Sequence, residues 1–323
     1  SRDRFNSNVR EKIGEVLAAA YEGTINNFSP YFGDGVLVRV HFNISRNAEA
    51  ATRPSVDRLE REIADIVRTW DDRLFDAIDE TFAPDEARRL RRKYRDAFSP
   101  GYQEAFTPDA SLYDIREIEA LTEGEKVAVE FYPVLKDPAG VSRLKLYHYD
   151  KAVPLSDRLP ILENMGLRAI EEHSFTLTRH GTKSTRRIFI HEVKLQAAGR
   201  SDVDIKARSQ MLEGCFLAVW NGLAENDIYN TLVLEEGMEW RDVALLRACG
   251  KYLRQTGIPY SSEYMAGTMV KHSAIASLLV ELFKARFSLG STGKTKRNAA
   301  AAKISAKIDA ILQKVPSLDE DRI

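Results

Sequence analysis

A segment near the C-terminus has the residue types of a phosphate-binding loop. It reads Ser-Leu-Gly-Ser-Thr-Gly-Lys-Thr over residues 288–295. Such a loop cradles phosphates with backbone N–H groups, but it requires glycine where Ser288 stands and a strand before it. Here a helical pattern ending at Phe287 comes before it. We therefore interpret residues 288–295 as a linker between helices, in which Lys294, Lys296 and Arg297 could meet an acidic surface.

The sequence carries no fingerprint for a nicotinamide dinucleotide. Its one Gly-x-Gly, Gly33 to Gly35, lies in a hairpin pattern and has no third glycine after it. A dinucleotide fold needs its glycine-rich turn between a strand and a helix, so that backbone N–H groups face the pyrophosphate. We expect no cofactor to bind this chain.

Histidine, cysteine and acidic residues form no catalytic or metal-binding pattern. No His-x-x-x-His pair occurs among the six histidines, and none lies at ligand spacing from Cys215 or Cys249. His41, His148 and His191 fit sheet-face positions with satisfied hydrogen bonds. Both cysteines fit small core residues better than nucleophiles. We predict no catalytic residue and no metal site.

One connection could bind a small acid. A strand pattern ends at Asp150 and continues through a short loop into a helix that starts near Ser156. The first turn of a helix presents unpaired N–H groups and the positive end of its dipole, which suit a carboxylate. The alternative is that Ser156 only caps its helix. The candidate effector-binding residues are Val153, Pro154, Leu155, Ser156 and Asp157.

Hydrophobic periodicity predicts the elements that position this connection. In chain order these are strands at 127–131 and 143–149, a helix at 155–165, strands at 167–179 and 185–196, and a helix at 204–222. From residue 225 onward only helical patterns occur. The candidate loop therefore joins the opening strand of a strand, helix, strand, strand, helix series to its first helix.

The N-terminal part repeats this order without the opening strand. Its predicted elements are a helix at 8–21, strands at 24–32 and 36–45, and one long helix at 55–82. A domain that begins with a central strand would not omit that strand. We therefore expect the chain to be part of a longer protein.

Composition limits the classes of partner. The 323 residues carry 47 basic and 48 acidic side chains, so the formal net charge is −1. That balance excludes the positive charge of a dedicated nucleic-acid binder. The most basic run, Arg88–Arg95, could contact phosphates, but we favour a solvated helix face paired with Asp85, Glu86 and Asp96. No apolar run reaches the ~18 residues of a membrane span, and two cysteines fit a reducing compartment. We predict no nucleic-acid binding, no membrane binding and a cytoplasmic location.

The order around residues 142–222 resembles an ACT domain, a small α+β module that binds amino acids in regulated metabolic enzymes. The segment from Pro154 to Leu167 is similar to that family's first loop and helix. Most of the chain also resembles the N-terminal regulatory region of the large bacterial NAD-specific glutamate dehydrogenases. The segments that carry this resemblance are Leu37–Phe42, Leu155–Ile170, Glu239–Arg247, Tyr252–Ser261 and Leu282–Phe287.

The resemblance implies an α+β fold class. It implies two ACT-like units of ferredoxin-like βαββαβ order with antiparallel sheets, followed by an all-helical segment. We assign residues 1–100 to a truncated unit with a long helix and residues 101–223 to a second unit. Residues 224–323 become a helical connector leading to a catalytic domain outside the chain.

For function, the resemblance implies a large oligomeric enzyme that deaminates L-glutamate oxidatively to 2-oxoglutarate and ammonia with NAD. The chain lacks the Lys-Gly-Gly substrate loop of that enzyme type, so we expect it to be inactive by itself. Its expected partners are its own catalytic domain, other subunits of a homo-oligomer and a small amino or dicarboxylic acid. The alternative is a purely structural assembly module without a ligand. Pro154 stands near where many ACT loops have glycine, which argues against close approach of a ligand to the backbone there.

Overall fold

The computed structural model describes residues 4–46, 54–121, 127–134, 137–138, 140–180, 185–199, 203–287 and 294–323. The chain divides into two compact units, residues 1–96 with 100–114 and residues 97–99 with 115–323. The predicted domain limits at residues 100 and 223 stay predictions. The predicted α+β class, with antiparallel sheets and a helical C-terminal part, is confirmed.

The first unit begins with a helix that packs on a hairpin. Its elements are helix α1 (Ser7–Ala20) and strands β1 (Gly23–Phe32) and β2 (Val38–Arg46), which pair antiparallel. The Asn6 side chain starts α1 by accepting a hydrogen bond from the Val9 N–H at 2.9 Å. A Cβ built on Gly14 would lie 2.6 Å from Ile25 Cδ1. Glycine at this position therefore lets the helix approach the hairpin closely.

Residues 55–82, predicted as one long helix, form two. These are α2 (Val56–Ile66) and α3 (Trp70–Thr81). Thr69 Oγ1 accepts from the Asp72 N–H at 3.1 Å, and Asp72 Oδ2 accepts from the Thr69 N–H at 3.0 Å. This capping box begins a new helix. The prediction of one helix was wrong because the apolar spacing continues across residues 67–69, whereas the helical backbone does not.

Three more helices complete this part of the chain: α4 (Pro84–Tyr94), α5 (Pro100–Ala105) and α6 (Pro108–Ala120). The first unit buries Leu74, Ile78, Leu90, Tyr94 and Tyr102 almost completely. Because α3 and α4 each contribute apolar side chains at helical spacing, the pair forms the centre of this core.

The basic face of α4 is paired with acidic side chains. Arg91 Nη1 lies 2.6 Å from Asp79 Oδ2, and Arg89 Nη2 lies 3.3 Å from Glu86 Oε1. Arg88 pairs with Asp85. The interpretation of residues 88–95 as a solvated, ion-paired helix face is therefore supported, although Asp79 rather than Asp96 takes part.

The second unit contains a four-stranded antiparallel sheet in the order β3-β4-β6-β5. Its elements are β3 (Val127–Tyr132), β4 (Val141–Tyr149), α7 (Leu155–Asn164), β5 (Leu167–His180), β6 (Thr185–Ala197) and α8 (Ser209–Trp220). The predicted strand, helix, strand, strand, helix order is confirmed. One detail differs from the predicted βαββαβ order. The outer neighbour of β4 is β3, which comes before β4 in the chain, whereas βαββαβ order places that outer strand after the second helix, here α8.

Both faces of this sheet are covered within the unit. Leu144, Leu146 and Val193 belong to one buried cluster together with Leu162 of α7 and Phe216 of α8. On the opposite face the Tyr149 hydroxyl donates to the Ile118 carbonyl at 3.1 Å. Helices α7 and α8 therefore cover one face, and the end of α6 contacts the other.

Both outer strands of the sheet carry contacts along their free edges. On β3 the Phe131 N–H donates to Glu213 Oε1 of α8 at 2.9 Å, and burial raises the pKa of the Glu213 carboxyl. On β5 the Thr178 N–H donates to the Ala97 carbonyl at 2.9 Å. These contacts occupy backbone groups that an added strand would need.

The C-terminal part is helical, as predicted. Its helices are α9 (Thr231–Glu236), α10 (Trp240–Gln255), α11 (Ser262–Lys271), α12 (Ser273–Phe287), α13 (Lys294–Leu312) and α14 (Leu318–Arg322). Helices α9 to α12 add Leu232, Val243, Ala266 and Ala276 to the buried cluster of the sheet. Within the described ranges, no helix is long and apolar enough to cross a membrane.

Candidate functional site

The predicted loop between β4 and α7 has a buried and an exposed part. Val153 is buried, and its N–H donates to His191 Nε2 at 3.3 Å. Pro154 is the N-cap residue of α7, and Leu155 is exposed. Ser156 donates to Asp157 Oδ1 at 3.0 Å, and α7 starts after Pro154 without a capping hydrogen bond from a side chain. The alternative of Ser156 as a simple cap is therefore wrong.

Polar side chains from four elements meet beneath this loop. Arg158 comes from the first turns of α7, His148 from β4, Glu172 and Ser174 from β5, and His191 from β6. The sheet register explains the meeting, because Ser174 pairs with His191 and Glu172 pairs with Val193. All of these strand residues face the helix-covered side. We call these five residues the polar cluster.

Arg158 and Glu172 form the ion pair of the polar cluster. Arg158 Nη2 lies 2.5 Å from Glu172 Oε1, and the Arg158 side chain is 3% exposed. Burial lowers the pKa of the Arg158 guanidinium, and Glu172 partly opposes this effect. A charge with so little hydration needs partners for its remaining N–H groups.

His191 links the polar cluster to the loop. Its Nε2 accepts from the Val153 N–H, so the ring proton lies on Nδ1, which is 2.8 Å from Ser174 Oγ and 3.2 Å from Glu172 Oε1. Burial lowers the pKa of His191, and the nearby Arg158 charge lowers it further. The ring is therefore held neutral in the tautomer that the loop requires.

Several polar atoms of the cluster are buried without a hydrogen-bond partner among the described residues. They are Nε and Nη1 of Arg158, Oε2 of Glu172 and Nδ1 of His148. Arg158 is 2% exposed and His148 is 6% exposed. Buried polar groups are normally paired, because each one left unpaired costs free energy. Their concentration beneath one loop marks this place for a polar ligand or ordered water.

The predicted loop residues and the polar cluster are close, but they have different properties. Residues 154–157 are exposed, whereas the uncommitted donors and acceptors lie on Arg158, Glu172 and His148 beneath them. Chemically, the arrangement offers a cation for an acid group, an anion for a donor group and a helix start nearby. These are groups that a small polar ligand could pair with.

A cavity of about 490 Å³ lies at the other end of α7. Arg247, which is almost fully buried, forms two hydrogen bonds there with Asp227, through Nε at 2.7 Å and through Nη2 at 2.8 Å. The Nη2 group also donates to Asn230 Oδ1 at 3.0 Å. Because most of its donors are used within the protein, Arg247 anchors the turn before α9 to helix α10.

The other residues weighed from the sequence have ordinary surroundings. Gly33 and Gly35 lie in the turn of the β1–β2 hairpin, which does not fit a dinucleotide. Cys215 is buried, which raises its thiol pKa to about 12, whereas Cys249 is exposed and so is not a core residue. Residues 288–293 lie outside the described ranges. The described residues contain no cluster of His, Cys, Asp or Glu able to hold a metal ion.

Four family models match successive parts of the chain. Their descriptions are the ACT2 domain of glutamate dehydrogenase at residues 1–71, helical motif 2 at 77–121, the ACT3 domain at 126–208 and helical motif 3 at 224–289. The polar cluster and the candidate loop both lie within the stretch that matches the ACT3 domain.

Three curated relatives are NAD-specific glutamate dehydrogenases. The one from Halomonas elongata is 31% identical over 322 residues, the one from Pseudomonas aeruginosa 34% over 324, and the one from Mycobacterium tuberculosis 32% over 342. In each case the whole of this chain is matched, and it spans 20% of the relative's length.

Proposed function

We propose that the chain regulates and assembles an NAD-specific glutamate dehydrogenase, because it belongs to the glutamate dehydrogenase family. It matches the ACT2 and ACT3 domains and helical motifs 2 and 3 of that family. The parent enzyme would deaminate L-glutamate to 2-oxoglutarate and ammonia in the cytoplasm, with NAD bound elsewhere in its chain. Residues 1–323 would be inactive by themselves. Their partners would be the catalytic domain and the other subunits of a homo-oligomer.

The polar cluster carries the regulatory part of this proposal. Uncommitted, buried polar atoms lie directly beneath residues 153–157, the loop predicted to bind a small amino or dicarboxylic acid. A ligand that pairs with these atoms in one arrangement of the subunits, and less well in another, would shift the enzyme between them by that difference in affinity.

A purely structural role is the second candidate. The polar cluster could be filled by ordered water instead of an effector. The ACT-like units would then build the oligomer and sense nothing. Calorimetric titration of the chain with amino acids, dicarboxylic acids and 2-oxo acids separates the two roles.

The deciding experiment compares the parent enzyme with a variant that lacks residues 1–323. We expect the shortened enzyme to lose subunit association, measured by light scattering, and any response of its rate to small acids. Unchanged association together with an unchanged response would contradict both roles.

The chain alone, mixed with L-glutamate and NAD, should produce no NADH. Absorbance at the NADH band measures this directly, and the intact parent enzyme serves as the positive control. Sustained NADH production by the chain would overturn the separation of regulation from catalysis.

A further inference from the structure

We infer that the cavity beside Asn164, at the C-terminal end of α7, binds a small primary amine that also carries an uncharged amide, such as a monoacylated diamine. This inference goes beyond the proposed regulation through the polar cluster. Apart from Asn164, the lining residues belong to the stretch 224–289 that matches helical motif 3. The volume of about 490 Å³ lies in the range of small-molecule sites.

Arg247 supplies a charged donor that the protein leaves unused. The residue is 5% exposed, and its Nε and Nη2 groups donate to Asp227, Asn230 and the Glu225 carbonyl. Its Nη1 group has no hydrogen-bond partner among the described residues. Because Arg247 lines the cavity, a ligand oxygen that accepts from Nη1 would remove the cost of an unpaired donor.

The Tyr229 hydroxyl is a second donor beside the same cavity. Tyr229 is 5% exposed, and Arg247 Cζ lies 5.7 Å from the centre of its ring. Burial raises the pKa of the hydroxyl, so it keeps its proton, and no residue that the structure describes forms a hydrogen bond with it. A Cβ built on Gly250 would lie 2.8 Å from this oxygen. Glycine weakens the middle of α10, but it leaves room for the hydroxyl.

The charges around the cavity select an uncharged acceptor over a carboxylate. Both oxygens of Asp227 already contact the Arg247 guanidinium, so a ligand carboxylate would bring a second anion to one cation. An amide carbonyl has two lone pairs, so it could accept from Arg247 and Tyr229 without that repulsion.

Asn164 favours an amide over other uncharged acceptors. Its Nδ2 group donates to Asn226 Oδ1 at 3.0 Å, and its own Oδ1 accepts no hydrogen bond from the described part of the chain. An amide N–H of the ligand could donate to this oxygen while the amide carbonyl accepts from Arg247. An ester or a ketone would lack that donor.

Glu263 supplies the acceptor for the amine. Lys251 pairs with Glu225, and Arg247 with Asp227. Glu263 lines the cavity from the first turn of α11 and forms no ion pair within the described ranges. The lining therefore carries three carboxylates and two cations, and a ligand ammonium group would balance it. Because Glu263 is exposed, this pair contributes less than a buried one.

The first test titrates the chain calorimetrically with N-acetylputrescine, a diamine with one acetylated end. The matched probes are putrescine, which has no amide, 6-aminohexanoate, which has a carboxylate in place of the amide, and N,N′-diacetylputrescine, which has no ammonium group. We expect N-acetylputrescine to bind once per chain with a dissociation constant below about 1 mM. Putrescine and 6-aminohexanoate should bind about 10- to 100-fold more weakly, and the diacetyl derivative about 2- to 5-fold.

The second test uses Tyr229→Phe and Glu263→Gln. Their matched controls are Tyr252→Phe and Glu281→Gln, which change exposed residues outside the cavity lining. Tyr229→Phe should weaken binding of N-acetylputrescine about 3- to 10-fold, and both controls should leave it unchanged. Glu263→Gln should weaken N-acetylputrescine about 2- to 5-fold and leave the diacetyl derivative unaffected, a difference that a purely structural role of Glu263 would not produce.

Three results would overturn the inference. They are no saturable binding of N-acetylputrescine, binding of 6-aminohexanoate as tight as that of N-acetylputrescine, and unchanged binding in folded Tyr229→Phe. A cavity that holds only ordered water would give the first result. The proposed regulatory role does not depend on these outcomes, because deletion of residues 1–323 from the parent enzyme tests it separately.

Discussion

At the scale of single residues, the hydrogen bond between the loop and His191 depends on the protonation state of the His191 ring. The groups that face it are Arg158 from α7, Glu172 and Ser174 from β5, and His148 from β4. Protonation of His191 would place a hydrogen on Nε2, where the Val153 N–H already donates. The charged ring would therefore break the loop contact and add positive charge beside Arg158.

We predict that the unfolding free energy of the chain decreases as the pH falls below His191's unfolded pKa of 6.5. The folded pKa is lowered, so in this window the unfolded chain binds a proton that the folded chain does not. Urea unfolding between about pH 5 and 8 measures the effect.

The variant His191→Gln should have a smaller pH dependence over the same window. His173→Gln is the control, because His173 is half exposed on β5. Identical pH profiles for the unaltered chain and His191→Gln would show that this histidine does not control the stability of the sheet.

Arg247 should be a stabilising residue of the helical part. In Arg247→Met the side-chain volume is retained, but Asp227 loses the guanidinium that contacts both its oxygens. We expect a loss of about 2 kcal/mol in urea unfolding, less than for a fully buried pair, because Asp227 stays 35% exposed and hydrated. Arg254→Met, an exposed arginine of the same helix, should change stability by less than about 0.5 kcal/mol. Equal effects of the two variants would contradict the anchoring role.

The position of the loop between β4 and α7 was predictable from the sequence, but the charged residues beneath it were not. A strand followed by a helix start identifies residues 153–157, since that pattern is local. Arg158, Glu172 and His191 meet only through strand register and helix packing, which single-sequence periodicity does not contain. The prediction of a satisfied sheet-face histidine was correct for His191, whereas His148 keeps an unpartnered Nδ1 among the described residues.

At the scale of elements, the break between α2 and α3 depends on one capping box. Thr69→Ala removes the hydroxyl that accepts from the Asp72 N–H. We expect a loss of about 1 kcal/mol in urea unfolding, the usual value of an N-cap side chain. Thr81→Ala at the exposed end of the same helix is the control and should have an effect within about 0.5 kcal/mol of zero. If Thr69→Ala is as stable as the control, the cap does not define the start of α3.

The sequence contained the signal for this break, because Thr69-x-x-Asp72 has capping-box spacing. The apolar spacing nevertheless continues across residues 67–69 and predicts one helix there.

The position of β3 in the sheet had no such signal in the sequence. Periodicity identified residues 127–131 as a strand, but it does not say which neighbour a strand pairs with or on which side of β4 it lies.

At the scale of the whole molecule, basic and acidic side chains are nearly equal in number, and those of the most basic helix also form ion pairs. The sequence has a formal net charge of −1, and the most basic helix pairs Arg88, Arg89 and Arg91 with nearby acids. We predict no binding of duplex DNA or single-stranded RNA at about 0.15 M salt. Fluorescence anisotropy with labelled oligonucleotides measures this. A saturable signal that weakens with salt and disappears in Arg92→Glu would contradict the prediction.

The Glu213 contact at β3 also affects how the protein behaves at high concentration. An incoming strand that tried to extend the sheet would have to displace the carboxylate from the Phe131 N–H. The expelled side chain would gain water, but the intruding backbone would lose its own hydration before new bonds formed. An added strand is therefore less favourable at this position of the β3 edge than at an edge whose N–H groups are bare.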